Sequence, residues 1–293
     1  MPARTFHHSA FSAERIAAGR AELGLGATVC LPARECAGTV GEIVGALQPL
    51  RAAGAIDGIV VVDAASPDGT AEVAEQAGAE VWQEAELLPS FGAVQGKGDA
   101  MWRALSRLDS ELVCFVDADS ERFSAHFVTG LLGPLVCERE VQFVKAFYRR
   151  PLGDSSEGGG RVNELMARPA LALLYPELAE IHQPLAGEVA ARRELLERLP
   201  FATGYGVEIA MLIDAWGELG LDGLAQVDLE EHRNRHQPLS ALGPMARTVL
   251  ATALERARRD GRLSLAPPIE AVEHAPLERP PLASLAATGA SGG

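Results

Sequence analysis

Cysteine, positive charge and long apolar runs are all in short supply in this chain of 293 residues, and each shortage closes a class of function. Only 26 Lys and Arg stand against 40 Asp and Glu, a formal net charge of −14. That field has the wrong sign for a general binder of nucleic acid or of an anionic membrane surface. A small phosphorylated substrate remains open, because it needs only a local basic pocket. No apolar run reaches the roughly 18–20 residues that cross a bilayer, and the stretch from Met1 to Ala10 lacks the apolar centre of a secretion signal. Cys30, Cys36, Cys114 and Cys137 are too few and too scattered for a disulfide framework and contain no CxxC pair. Three of them lie in or beside apolar segments, as buried thiols do. What is plentiful is core material: 47% of the residues are hydrophobic, enough for one large domain or two small ones. A soluble, cytoplasmic globular protein is expected.

Apolar strands alternate with helices through the first half. Ala27–Ala33, Gly58–Asp63, Ala79–Trp82, Leu112–Val116 and Val141–Tyr148 read as strands. Thr39–Leu50, a stretch from the Ser66-Pro67-Asp68-Gly69 turn to about Ala77, Asp99–Leu108 and Phe127–Val136 read as helices. Continuous apolar strands separated in this way indicate an α/β fold with a mainly parallel sheet, whose ligands bind beyond the carboxyl ends of the strands. After Tyr148 come a Gly-rich loop and helices at Val162–Leu174, Arg192–Leu199, Val207–Leu219 and Leu239–Arg259, with one short strand at Ala225–Leu229. The expected division is an extension over 1–26 with a helix at Ser12–Leu23, an α/β half over 27–150, a mostly helical half over 151–262, and a disordered, proline-marked tail over 263–293. The long last helix is compatible with a homodimer without establishing one.

Chemistry concentrates at the strand ends. Asp117-Ala118-Asp119 follows a buried strand, and crowded carboxylates are costly unless a cation or hydrogen-bond donors compensate. Such a pair suits Mg²⁺ or Mn²⁺ on a diphosphate; an N-cap and a solvated loop explain it about as well. Pro32-Ala33-Arg34-Glu35 closes the first strand. Asp63 opens a polar run to Thr70 at the end of the second, although a turn or helix cap accounts for that run nearly as well. Gly96-Lys97-Gly98 opens a helix but is not a Walker A loop, which needs G-x-x-x-x-G-K-[ST]. Alone it reads as a turn.

Taken in order, P-A-x-E, D-x-x-S-x-D-G-T, G-K-G and D-x-D resemble the nucleotide-sugar glycosyltransferases of the GT-A fold. Val144–Pro151, Gly159–Glu164, Gln183–Glu188, Gly204–Glu208 and His232–Arg235 resemble the glucosyl-3-phosphoglycerate synthases and their mannosyl counterparts, over roughly Ala27 to Ala257. That resemblance implies retaining, metal-dependent transfer of glucose or mannose from a nucleoside-diphosphate sugar to the 2-hydroxyl of 3-phosphoglycerate. It places Pro32, Ala33, Arg34, Glu35, Asp63, Lys97, Asp117 and Ala118 at the nucleotide and Leu185, Gly187, Tyr205 and Glu208 at the sugar. The divalent cation falls to Asp119 and His232, and the acceptor to Gly160, Arg161, Asn163 and Asn234. Glu208, Lys97 and Asp119 are the residues expected to act in catalysis, with Glu208 orienting the sugar rather than attacking it. The chain departs from the family at Arg34, Ala64 and Asn163. The first two fall at the base pocket and leave open the use of both UDP- and GDP-sugars.

Plainer readings compete. Arg149-Arg150 would serve as a solvated pair, Glu208 and Asp214 as an exposed helical face, and His232 with His236 as a zinc pair lacking a third ligand. Trp82, Trp102 and Trp216 are expected in packing. Two other functions fit the same strand-end chemistry: a sugar-phosphate nucleotidyltransferase, and a nucleotide-sugar sensor without turnover.

Overall fold

The computed structural model describes residues 3–152, 155–234, 238–263 and 277–287. Eight strands form the central sheet: β1 (Arg4–His7), β2 (Ala27–Ala33), β3 (Gly58–Asp63), β4 (Glu80–Gln83), β5 (Leu112–Phe115), β6 (Phe143–Arg149), β7 (Val189–Arg192) and β8 (Leu224–Glu231). Their order across the sheet is β1-β8-β6-β7-β5-β2-β3-β4. Only β7 runs antiparallel to its neighbours β5 and β6.

The central strands β2, β3 and β5 are largely apolar along their length because both faces are covered. In β3, Ile59 and Val61 pack into one core while Val60 and Val62 pack into the other. The first core lies under α1 (Ala13–Leu23), α2 (Val40–Ala52), α3 (Thr70–Gln76) and α5 (His126–Cys137). The second lies under α4 (Lys97–Leu105), α6 (Arg168–Leu174), α7 (Arg193–Arg198), α8 (Val207–Leu219) and α9 (Leu239–Arg259). Alternating strand side chains between two helical layers produce this pattern. Trp82 and Trp102 are buried in the second core, and Trp216 packs against it, edge-on to Tyr175.

Several expectations need correction. Residues 4–7 are not part of a detached extension: they add β1 to the sheet edge, with Arg4 opposite Ala225 and His7 opposite Asp228. Four residues that alternate between half-buried and exposed leave too little pattern to read. The two halves share one sheet, because β7 and β8 come from the second half and β7 inserts between β5 and β6. Its Val-Ala-Ala-Arg is short and small, and passes for the approach to a helix. Within the expected helix at 162–174, Asn163–Ala167 form a π-turn before α6. The tail is ordered where it can be described: Glu278–Arg279 pair with Phe201–Ala202, and α10 (Leu282–Ala287) follows. Residues 264–276 and 288–293 lie outside the described residues.

The tail and helix α4 meet at a buried ionic cluster. Asp99, with no exposed surface, accepts from Arg103 Nε (3.2 Å), from the Gln95 amide (2.9 Å) and from both Arg279 Nε and Nη2 (2.8 Å each). Arg103, equally buried, donates to the carbonyls of Leu87 and Gly92, each at 2.7 Å. This network ties the loop from Leu87 to Gln95 to the start of α4. A Cβ at Gly98 would sit 2.0 Å from the Ala202 carbonyl, so only glycine lets α4 approach that strand.

Candidate functional site

The carboxyl ends of β2, β3 and β5 open into a cleft of about 600 Å³. Sheet topology puts it there: strand order reverses around β2 and β5, the kind of position where open parallel sheets bind ligands. Pro32, Ala33 and Arg34 line it from β2 and the residue after, with Ala64 from the end of β3 and Asp117, Ala118 and Asp119 from the end of β5. Lys97 enters from the first turn of α4, Glu208 from the first turn of α8, and Tyr205 from the turn before α8. Leu185 and Gly187 form part of one wall, and Gly160, Arg161 and Asn163 another.

Lys97 is the electrostatic centre. Its ammonium contacts the Asp117 carboxylate and lies 2.9 Å from Glu208 Oε1. The surrounding protein acts to lower its pKa, but these two carboxylates outweigh that and raise it, so the lysine stays charged. Asp117 in turn occupies the space in front of Gly187, where a Cβ would come within 2.1 Å of its carboxylate. Glycine at 187 is therefore a requirement of close approach. Asp119 opens to the cleft, yet the protein crowding it, and then the Asp117 carboxylate, hold its carboxyl above the ordinary range.

His232 reaches the same corner through a two-stranded ribbon in which Ser120 pairs with Asn234 and Glu121 with Arg233. This ribbon sets residues 119–121 beside 232–234, with Ser120 and His232 112 positions apart in the chain. His232 is buried, with Nε2 2.8 Å from Ser120 Oγ and 3.2 Å from Glu188 Oε1, and its ring stacks on Tyr148 at 4.6 Å. Its Nδ1 is buried without a hydrogen-bond partner. An orphaned imidazole nitrogen and a carboxylate whose negative form is disfavoured are what a divalent cation would relieve. An N,O donor pair of this kind fits Mn²⁺ or Mg²⁺ whose remaining positions go to phosphate oxygens and water.

Not every expected residue lines the cleft. Glu35 is exposed and its amide donates to Ser66 Oγ (2.9 Å). Asp63 is buried, with Oδ2 accepting from the Ser66 amide and Gln83 Nε2 and Oδ1 without a partner. Asn163 holds two walls together: Nδ2 donates to the His182 carbonyl (3.3 Å) and Oδ1 accepts from the Leu185 amide (3.3 Å). Asn234 takes part in the ribbon through its backbone; its side chain, and His236, lie outside the described residues. Arg149 and Arg150 are not an equivalent solvated pair. Arg150 lines the cleft, whereas Arg149 is exposed and 3.7 Å from Glu231. Asp214 is not on an open helical face but buried against Arg256 at 2.9 Å.

Two further residues belong to this corner. Glu188, fully buried, accepts from the Tyr148 hydroxyl at 2.6 Å. Its burial would raise its pKa, but His232 and Tyr148 outweigh that and lower it. Lys145, also buried, donates to the Ala186 carbonyl at 2.7 Å. Burial pulls its pKa down to about 8, against the raising effect of Glu208. Both lie in segments that carry the family resemblance, Val144–Pro151 and Gln183–Glu188, yet neither receives a role at the site from sequence alone.

Residues 28–182 match the family profile described as Glycosyl transferase family 2. A glucosyl-3-phosphoglycerate synthase of Mycolicibacterium paratuberculosis is 46% identical over 243 residues, covering 80% of this chain and 74% of that protein. The crystal structure of a mannosyl-3-phosphoglycerate synthase from Rubrobacter xylanophilus superposes with a TM-score of 0.89 at 43% identity, covering 96% of this chain and 97% of that one. A glucosyl-3-phosphoglycerate synthase from Mycobacterium tuberculosis, solved with Mn²⁺, UDP-glucose and phosphoglyceric acid, superposes with a TM-score of 0.85 at 40% identity, covering 97% and 99%. Among the described residues no helix is long and apolar enough to cross a membrane.

Proposed function

The chain belongs to glycosyl transferase family 2, and we propose that it moves a hexose from a nucleoside-diphosphate sugar to the 2-hydroxyl of 3-phosphoglycerate, with a divalent cation and retention at the anomeric carbon. The observation that carries this reading is one cleft in which the Lys97–Asp117–Glu208 cluster and Asp119 stand near the Gly160–Asn163 wall. A donor and a strongly anionic acceptor would meet between them.

Pro32, Ala33, Arg34 and Ala118 would line the nucleoside, with Glu35 at the rim. Asp63, buried behind Ala64, would shape the base pocket through the Ser66 amide and Gln83 that its Oδ2 holds. Asp117 would hold the ribose and Lys97 the diphosphate. Asp119 and His232 would hold the cation, which offsets charge developing on the departing diphosphate. Leu185, Gly187, Tyr205 and Glu208 would surround the sugar. Because Glu208 is ion-paired to Lys97 at 2.9 Å, it suits orienting hydroxyls and stabilising an oxocarbenium-like state better than nucleophilic attack. Arg161, beside the backbone amides that follow Gly160, would receive the acceptor's phosphate and carboxylate, with Asn163 and Asn234 assisting. On the front face, the acceptor oxygen bonds to the anomeric carbon as its bond to the phosphate oxygen breaks. The hydroxyl proton passes to that phosphate oxygen.

The test is incubation with 3-phosphoglycerate, Mg²⁺ or Mn²⁺, and separately UDP-glucose, GDP-glucose and GDP-mannose, read by mass spectrometry. A hexosyl-phosphoglycerate is expected, and the fastest donor names the sugar and base. Comparable rates with UDP- and GDP-donors would support relaxed base reading at Arg34 and Ala64. Nucleoside diphosphate release without that product would discard the acceptor. Pyrophosphate release from a nucleoside triphosphate would identify a nucleotidyltransferase, and binding without turnover a sensor.

A further inference from the structure

A second set of ligand atoms lies outside the cleft, where the first strand of the sheet ends. β1 runs parallel to β8 with His7 opposite Asp228, so both strands deliver their carboxyl ends to the same edge. The ladder between β8 and β6 slips between Asp228 and Glu231. Within that slip Glu230 takes a left-handed φ of 68° and donates its amide to Asp228 Oδ1 at 2.8 Å. The result sets three potential donors from two distant segments side by side: one ligand atom from each of His7, His8 and Glu230 lies within 4.8 Å of the other two.

The spacing is informative. Zinc–ligand bonds of about 2.0–2.1 Å in a tetrahedron put neighbouring ligand atoms about 3.3–3.4 Å apart. Glu230 Oε1 lies 3.2 Å from His8 Nε2 and 3.7 Å from His7 Nε2. His8 Nε2 is buried and faces that carboxylate oxygen as its ion-pair partner. The surroundings hold the rings in place. His7 Nδ1 accepts from the Ser9 amide at 3.3 Å and lies 2.8 Å from Ser9 Oγ, contacts that fix the ring. The His8 ring stacks at 4.2 Å on His126, whose Nε2 is 3.1 Å from the Leu229 carbonyl.

We propose that His7, His8 and Glu230 form a second metal site, selective for a borderline divalent ion such as Zn²⁺, which fastens edge strand β1 to β8. Two imidazoles and one carboxylate leave a fourth position for water. The set is too poor in oxygen for Mg²⁺, which prefers carboxylates, phosphates and water. None of the three residues lines the cleft, so the site is independent of the cation bound with the diphosphate.

The full-length chain would be loaded with Zn²⁺ in a large excess of Mg²⁺, passed through gel filtration, and its retained zinc measured by plasma mass spectrometry. Wild type and His232→Ala should each retain one zinc per chain, whereas His7→Ala and Glu230→Gln retain none. Zinc should also raise the unfolding temperature of wild type but not of those two variants, since a ligand bound only by the folded state stabilises it. The isosteric Glu230→Gln carries the decision if His7→Ala folds poorly. Zinc lost with His232→Ala, whether or not it is lost with Glu230→Gln, would overturn a separate site. No zinc retained by wild type would overturn it too, leaving the three residues as an ion pair.

Discussion

Lys97 and Asp99 stand two residues apart in the first turn of α4, yet their charges serve opposite ends. Asp99 and Arg103 are wholly buried, and Asp99 receives four donor contacts from Gln95, Arg103 and Arg279. Asp99 there meets two guanidiniums and its oxygens are saturated with hydrogen bonds, the condition under which a buried ion pair is tolerable. Lys97 and Asp117 keep 27% and 23% of their side chains exposed. One ammonium there faces Asp117 and Glu208, with Asp119 nearby in the same cleft. That imbalance is wasteful as scaffolding and useful only if a cation and a substrate complete it. Saturation marks the cluster that holds the fold; deficiency marks the one that does chemistry.

Mutations can break this contrast. The largest effect expected is on stability: Asp99→Ala strands Arg103 in the core and should cost about 3–5 kcal/mol, read by urea denaturation. A loss below about 1 kcal/mol would mean that the cluster is not structural. Lys97→Ala should instead lower turnover about a hundredfold, ~2.7 kcal/mol of barrier, with little change in the urea midpoint. A large shift of that midpoint would erase the distinction. Asp119→Ala and His232→Ala are each expected to lower turnover at least tenfold, ~1.4 kcal/mol. Near-normal rates at saturating Mg²⁺ or Mn²⁺ would remove them from the cation. Arg161→Ala should raise the KM for 3-phosphoglycerate while nucleotide binding, followed by calorimetry, stays intact; lost nucleotide affinity would misplace the acceptor wall.

The smallest effect concerns Lys145, whose pKa is about 8 in the folded chain against about 10.4 when unfolded. Between those values the unfolded state binds the extra proton, so this group adds stability as pH rises from about 8 towards 10. Below pH 8 both states are protonated and the cost of burying the charge is fully present. In Lys145→Met that rise should be lost, so the difference between the two pH–stability curves climbs from about pH 8 towards 10. Parallel curves would show the lysine to be solvated.

How much of this was legible depended on the range of the interaction. The strand β3 and the helices α8 and α9 announce themselves by local pattern, as apolar runs and as helical periodicity. Asp117, Asp119, Lys97 and Glu208 stood out by chemistry and motif, and all four line the cleft. β1 and β7 did not show, being four residues each and lacking a long apolar run. Glu188 and Arg150 lie in segments that carry the family resemblance, but their place at the site shows only in what they face.

The sequence by itself determined the layered α/β fold, because alternation, turn residues and helix periodicity act over a few neighbours. Only the tertiary structure decided which charges meet: Lys97 with Glu208 across 111 positions, Ser120 with His232 across 112, and Asp99 with Arg279 across 180. A charge is indifferent to its neighbours in sequence and responds to whatever the folded chain places within a few ångströms, at a strength set by burial.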